Sequence, residues 1–278
     1  VLTSALTDRE LFEGRMRDML RTEILLTSRL DNLVADYSFS KQGFRLEEAD
    51  LAEMTFDSSE YVKDGLMPVT EWLGPSPWSE RMVGLVDSIL VHAAVDTPVG
   101  VLPATDHEVG GELMQVLSRL SWMTGERRYR EAAFRYADYF LVHALPTRGE
   151  RLSLDDHGCE VIGGLSEVYY LAAHTDPARR ERYRAPMHEM LDRVLEVGRN
   201  ENGLFHMEVN PVTGEVLNDE LTDNWGYDYN AFLTVAEVDD HEPYREAVRF
   251  ALENVHEHTG YRKACRLAWP GTGRSGWS

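Results

Sequence analysis

The sequence predicts a mostly α-helical protein built from repeated helix pairs, with a single β-hairpin. Three observations predict this. Apolar residues recur at helical spacing in blocks of about 15 residues from Ser79 nearly to the C-terminus. A Tyr-Arg signature opens the second helix of a pair three times, at Tyr129-Arg130, Tyr183-Arg184 and Tyr244-Arg245. Only one stretch, Gly203 to Leu217, alternates like strand around a turn at Asn210-Pro211-Val212-Thr213-Gly214.

Taken in order, Asp8 to Ala35 carries Leu11, Met16, Leu20, Ile24, Leu25, Leu30 and Leu33 at intervals that suit one or two amphipathic helices. From Ser38 to Pro77 the pattern weakens to one short helical candidate, Leu46 to Met54, and Gly65, Pro68, Gly74, Pro75 and Pro77 mark an irregular, loop-rich segment over 38–77. Beyond it, the signature tyrosines lie 54 residues apart (129 to 183) and 61 apart (183 to 244). A polar, acidic loop starts the helix before each: Thr105-Asp106-His107-Glu108, Asp155-Asp156-His157-Gly158-Cys159-Glu160 and Thr222-Asp223-Asn224-Trp225. Helix pairs of this length cannot bury an apolar face alone, so they stack, either as an extended solenoid or as a ring. First helices carry small and apolar residues all round, as in Val109-Gly110-Gly111-Glu112-Leu113 and Val161-Ile162-Gly163-Gly164-Leu165, where glycine pairs permit close helix approach. The second helices, Glu126 to His143 and Arg179 to Val197, are rich in Arg and Glu and read as a solvated layer.

Composition bounds the function. The 278 residues are 43% hydrophobic and 27% charged, which excludes disorder, collagen and coiled coil. The longest apolar stretches fall short of the ~20 residues that span a bilayer. With 28 basic against 48 acidic residues the net charge is −20, a field that repels nucleic acid and anionic membrane, and neither is an expected partner. Two cysteines, Cys159 and Cys265, allow one disulfide but no disulfide scaffold. The chain begins at Val1 without the charged and apolar regions of a signal peptide, so either a leader has been removed or the chain is shortened. A secreted or periplasmic setting is expected over the cytoplasm.

The helix pairs, the Thr124-Gly125-Glu126-Arg127-Arg128-Tyr129 turn, and above all Asp156-His157-Gly158 and Asp223-Asn224-Trp225-Gly226-Tyr227-Asp228-Tyr229-Asn230 at first-helix starts resemble the six-hairpin glycosidase superfamily, over roughly Ser79 to His258. That superfamily includes glycoside hydrolases, unsaturated glucuronyl hydrolases and polysaccharide lyases. The resemblance implies an all-α, (α/α) toroid of helical hairpins with a small β-hairpin, one domain over 1–278, and an oligosaccharide or polysaccharide substrate without a cofactor. Six hairpins need more residues than are present. The ring is incomplete, the chain is a piece of a longer toroid, or Asp8 to Ala35 closes it, and Gly271 to Ser278 reads like the approach to another inner helix.

In a ring, the loops before the inner helices converge on one face, and the acids there are the first candidates. Asp156 and Asp223 are the leading catalytic pair, since glycosidic cleavage needs one carboxyl to protonate the leaving oxygen and another to activate water or attack carbon. The competing structural role for each is an N-cap. Asp106 is a weaker binding candidate beside His107, because Thr105 and Glu108 form a capping box in which Thr105 is the expected cap. Glu160, four residues after Asp156, is read either as holding a sugar hydroxyl or tuning Asp156, or as a buried structural acid. Trp225, Tyr227 and Tyr229 offer rings on which sugar C–H faces pack, with core filling as the alternative for Tyr229. His157, Asn224, Tyr227 and Arg151 would suit a different reaction, elimination across a uronate, with His157 or a tyrosine as base. A non-catalytic helical-repeat scaffold is the third reading. No catalytic metal is expected: His107 with Asp106 and Glu108, or His157 with Asp156 and Glu160, lacks the spacing of a metal motif. His206, His241, His256 and His258 read as surface or structural, and no nucleophile elbow, P-loop or dinucleotide fingerprint occurs.

Overall fold

The computed structural model describes residues 7–255, so Cys265 with its disulfide, His256, His258 and the Gly271 to Ser278 segment lie outside the described residues. The chain divides into two compact units, 1–136 and 137–278.

The first unit opens with helix α1 (Arg9–Thr27), whose start is capped by the Asp8 side chain accepting Leu11 N–H at 3.0 Å. Helix was expected to run on towards Ala35. Instead the chain turns at Asp31, in the left-handed region at φ 51°, and β1 (Ser28–Leu30) pairs antiparallel with β2 (Leu33–Val34). Asp-Asn is turn chemistry, and it overrides the apolar spacing here. A second small pair, β3 (Tyr37–Ser38) and β4 (Gly43–Phe44), follows.

The segment expected to be loop with short helices carries its helix as one longer run. Asp50 caps α2 (Leu51–Glu60) by accepting from Ala52 and Glu53 N–H, and the chain stays helical through a π-turn (Tyr61–Leu66) into α3 (Met67–Leu73). Gly65 sits under the Tyr61 ring, and Pro68 occupies the first turn of α3, where its missing N–H costs nothing. Both residues are therefore built into helix rather than breaking it. Gly74, at φ 72°, ends the run. A Ser76/Ser79 capping box with Pro77 at the first position starts α4 (Pro77–Val91). After the short hairpin β5 (Val95–Thr97) and β6 (Gly100–Leu102) comes α5 (His107–Thr124), buried at every residue from Val109 to Ser118, as an inner helix should be. Buried Glu112 on α5 accepts from Ser59 Oγ at 2.7 Å, and Lys63 Nζ lies 3.7 Å away; burial lifts its carboxyl to about 8. Gly125, left-handed at φ 72°, turns the chain into α6 (Arg127–Asp138).

In the second unit, β7 (Leu152–Ser153) leads to α7 (Glu160–Thr175), then α8 (Pro177–Val197). The predicted hairpin appears as β8 (His206–Val209) and β9 (Val216–Leu221), with β8 also pairing antiparallel to β7. Asn210 Oδ1 holds its turn by accepting Val212 and Thr213 N–H. Helices α9 (Trp225–Asp239) and α10 (Glu242–Asn254) complete the described chain. Residues Glu160 to Ser166 of α7 are all buried, and α9 packs against α7 so closely that a Cβ at Gly163 would lie 2.9 Å from the Tyr227 ring.

The repeated tyrosine has a common role. Tyr129, Tyr183 and Tyr244 are each buried, and their hydroxyls donate to Asp87 at 2.9 Å, Asp138 at 2.7 Å and Asp192 at 2.8 Å, each on an earlier second-layer helix. A charge-assisted bond of this kind stabilises by about 1.5–3 kcal/mol, so the signature marks a stitch between successive outer helices.

Candidate active site

The second unit brings together most of the candidate residues. Ser153 closes strand β7, and the chain then makes a tight turn in which the Asp155 carbonyl accepts Gly158 N–H at 3.1 Å and Cys159 N–H at 3.0 Å. His157 within this turn is left-handed at φ 70°, a conformation that few non-glycine residues adopt and that concentrates at functional sites. Gly158 is required by space: a Cβ there would lie 2.3 Å from Ser153 Cβ and 2.8 Å from Ser153 O. Gly158→Ala should therefore displace the turn and destabilise the protein by about 1–3 kcal/mol, more than Gly163→Ala, where only a ring must yield. Urea denaturation of the two variants checks the order, and a Gly158→Ala protein as stable as wild type contradicts it.

The turn presents Asp156 and His157 to solvent, with the His157 Nε2 to Asp156 Oδ2 distance at 3.9 Å. Asp155 is half-buried and its carboxylate accepts from Ser153 Oγ. Cys159, not Asp156, occupies the N-cap of α7, so Asp156 is not consumed as a cap and does not share a helical face with Glu160. Glu160 is the first residue of α7 and is buried.

At the start of α9, Asn224 is the N-cap and exposed Asp223 precedes it, so Asp223 lies outside the helix and shares no helical face with Tyr227. Asn224 Nδ2 reaches Cys159 Sγ at 3.7 Å, tying this helix start to the Asp155–Gly158 turn. Trp225 and Tyr227 are half-buried, and Trp225 meets Tyr229 edge-to-face at 6.5 Å. Tyr229 itself is a core residue: 2% exposed, packed on Phe205 and Phe232, with its hydroxyl donating to Gly203 O at 2.5 Å. Arg151, considered as a group to neutralise a uronate, pairs with Glu208 at 2.6 Å.

The residue that sequence reasoning passed over is Asp228. It lies in the first turn of α9, fully buried, and neither carboxylate oxygen has a hydrogen-bond partner. Burial first, then the negative charges of Glu160 and Asp155, push its pKa well above the ordinary carboxylate value. Asp155, Glu160 and Asp228 thus form an acidic cluster at the starts of two adjacent inner helices, whose macrodipoles offset part of its charge. The signal was an acid between two aromatics, Tyr227-Asp228-Tyr229, one turn inside the helix mouth.

Asp106 and His107 belong to the first unit. There Asp106, not Thr105, caps α5, accepting Val109 N–H at 2.8 Å, and burial lowers the His107 pKa against the opposing pull of Asp106.

No protein-family model and no curated protein sequence matches this chain. Solved structures do. An inactive variant of the alpha-1,6-mannanase GH76A of Salegentibacter sp., with two adjacent aspartates replaced and alpha-1,6-mannotetrose bound, superposes with a TM-score of 0.59 at 12% identity, over 86% of this chain and 68% of that one. A glycoside hydrolase family 76 mannosidase from Bacteroides thetaiotaomicron gives 0.58 at 14%, over 88% and 71%. The cellobiose 2-epimerase of Bacillus thermoamylovorans gives 0.54 at 12%, over 90% and 73%. The fold is that of the six-hairpin glycosidases. The all-α, (α/α) toroid class expected from the helix pairs is therefore borne out. Within the six-hairpin fold the acid cluster lies at inner-helix starts.

Proposed function

We propose that this protein is a glycoside hydrolase that cleaves an oligo- or polysaccharide with the carboxyls of the adjacent pair Asp155-Asp156. The observation that carries the reading is the strained turn that holds this pair before an inner helix, with buried Asp228 and Glu160 behind it. The mannanase variant with adjacent aspartates replaced supports it, because the other adjacent pair here, Asp239-Asp240, lies at the opposite end of α9, where Arg180, His188 and Tyr169 engage Asp239.

The hydroxyl of Ser153 donates to the Asp155 carboxylate and orients it, which suits attack on the anomeric carbon or stabilisation of positive charge there. Solvent-facing Asp156 is the proton donor to the leaving oxygen. Burial and the neighbouring charges favour the neutral form of Asp228, which lessens the negative charge that three carboxyls would otherwise bring to the cluster. Trp225 and Tyr227 stack the sugar, while Asp223 and Asn224 stand at the mouth and His157 flanks Asp156. The epimerase likeness favours one alternative, isomerisation of a reducing sugar, since fold alone does not fix the chemistry.

Incubation with a glycan panel that includes alpha-1,6-linked manno-oligosaccharides and cello-oligosaccharides separates the readings. Hydrolysis gives new reducing ends and fragments whose masses sum to substrate plus one water. An isomer of unchanged mass, or an ultraviolet-absorbing unsaturated uronate, would overturn it.

A further inference from the structure

A second cluster lies at the other end of the hairpins. His188 and Asp192 are four residues apart on one face of α8, and His241 lies in the turn between α9 and α10. One ligand atom from each lies within 4.8 Å of the others, the sole such group of three His, Cys or acidic residues among the described residues. A cavity of about 360 Å³, lined by His188, His241, Ala185, Glu181 and Arg184, opens onto the two imidazoles. Arg184 there faces the buried carboxylate of Asp239 at 3.8 Å.

We propose that His188, Asp192 and His241 bind a divalent transition cation such as Zn²⁺. The surrounding bonds prepare the site. His188 Nε2 meets Asp239 Oδ2 at 2.7 Å, and Asp239 is fixed in turn by Arg180 and by the Tyr169 hydroxyl at 2.8 Å. A neutral imidazole facing a carboxylate keeps its proton on that nitrogen, which leaves Nδ1 as the ligand atom; this carboxylate–histidine arrangement is the one that orients metal-bound imidazoles. Nδ1 lies 2.9 Å from the Tyr244 hydroxyl, which also lies 2.8 Å from Asp192 Oδ1. That hydroxyl has one hydrogen for two acceptors. A cation supplies the missing electrophile. Two imidazoles and one carboxylate suit Zn²⁺ or Co²⁺ and not Mg²⁺, which takes oxygen ligands.

The site would clip α8 to the α9–α10 turn. α9 has 15 residues, so the clip stands about 20 Å from the Asp223 end. Its role is structural and separate from sugar cleavage.

The test is titration of tag-free, full-length protein with ZnCl₂ by calorimetry, with CoCl₂ in a parallel arm read by visible ligand-field absorption and MgCl₂ as control. One equivalent of Zn²⁺ should bind and raise Tm. Both effects should weaken at least tenfold in apparent affinity in His241→Ala and in Asp192→Asn. His241 makes no side-chain cap bond, so its removal should leave the helix start intact, and circular dichroism is the check that both variants fold. The absence of saturable Zn²⁺ binding, or binding unchanged in both variants, would overturn the proposal, as would binding abolished instead by His157→Ala.

Discussion

Asp156→Asn should leave a folded protein whose kcat on its glycan falls by about 10²–10⁴-fold, the range spanned by loss of a positioned proton donor. The side chain is 74% exposed and caps no helix, so the substitution should change stability by no more than about 0.5 kcal/mol. KM should hardly move, because the proposal assigns sugar binding to the rings and neighbouring polar groups rather than to this carboxyl. Asp155→Asn should cost at least as much in kcat. Asp223→Asn should cost less than about tenfold, since an exposed acid ahead of the α9 cap contributes field rather than proton transfer. Steady-state kinetics on the three variants reads all of this. An Asp156→Asn enzyme within threefold of wild type removes the aspartate pair from the mechanism.

How far the sequence reaches is visible in individual residues. The Tyr-Arg repeat marks the outer helices at Tyr129, Tyr183 and Tyr244, and the same letters turn out to carry the bonds to Asp87, Asp138 and Asp192 that join those helices. Repetition survives translation into structure because each copy solves the same packing problem. The glycine of Gly163 is likewise legible, as a site of close helix approach. Gly65 and Pro68 are misread as breaks because both are tolerated where the local hydrogen-bond pattern already leaves a gap, in a π-turn and a first helical turn, and single-residue propensity does not register that context. Capping shows the same limit: Thr105 and Asp106 are both good caps, and backbone geometry chooses Asp106. Within the candidate site, spacing points to the loops before α7 and α9 but says nothing of how deep each acid lies. Depth is a property of tertiary packing, so exposed Asp223 stands out in sequence while buried Asp228, five residues on, does not.

Asp228→Asn should make the protein more stable towards high pH and less active. The sign follows from proton counting. In the unfolded chain Asp228 titrates near 3.8; in the folded chain burial and the charges of Glu160 and Asp155 raise it well above that. Between those two values the folded state holds a proton that the unfolded state has released, so unfolding becomes easier as pH rises, by up to about 1.4 kcal/mol per pH unit. The loss begins as pH climbs past the ordinary value and levels off above the raised one. An asparagine cannot ionise in either state, so its curve lacks that descent. Chemical denaturation at pH 4 and pH 7 should therefore show the variant gaining on wild type as pH rises. The comparison between pH values cancels the fixed cost of burying the amide. A gap that does not change with pH would mean that Asp228 is ionised in the folded protein. Activity should fall in the same variant, because the site keeps a costly buried acid where a neutral amide would be more stable, and such groups are retained for what they do to their neighbours.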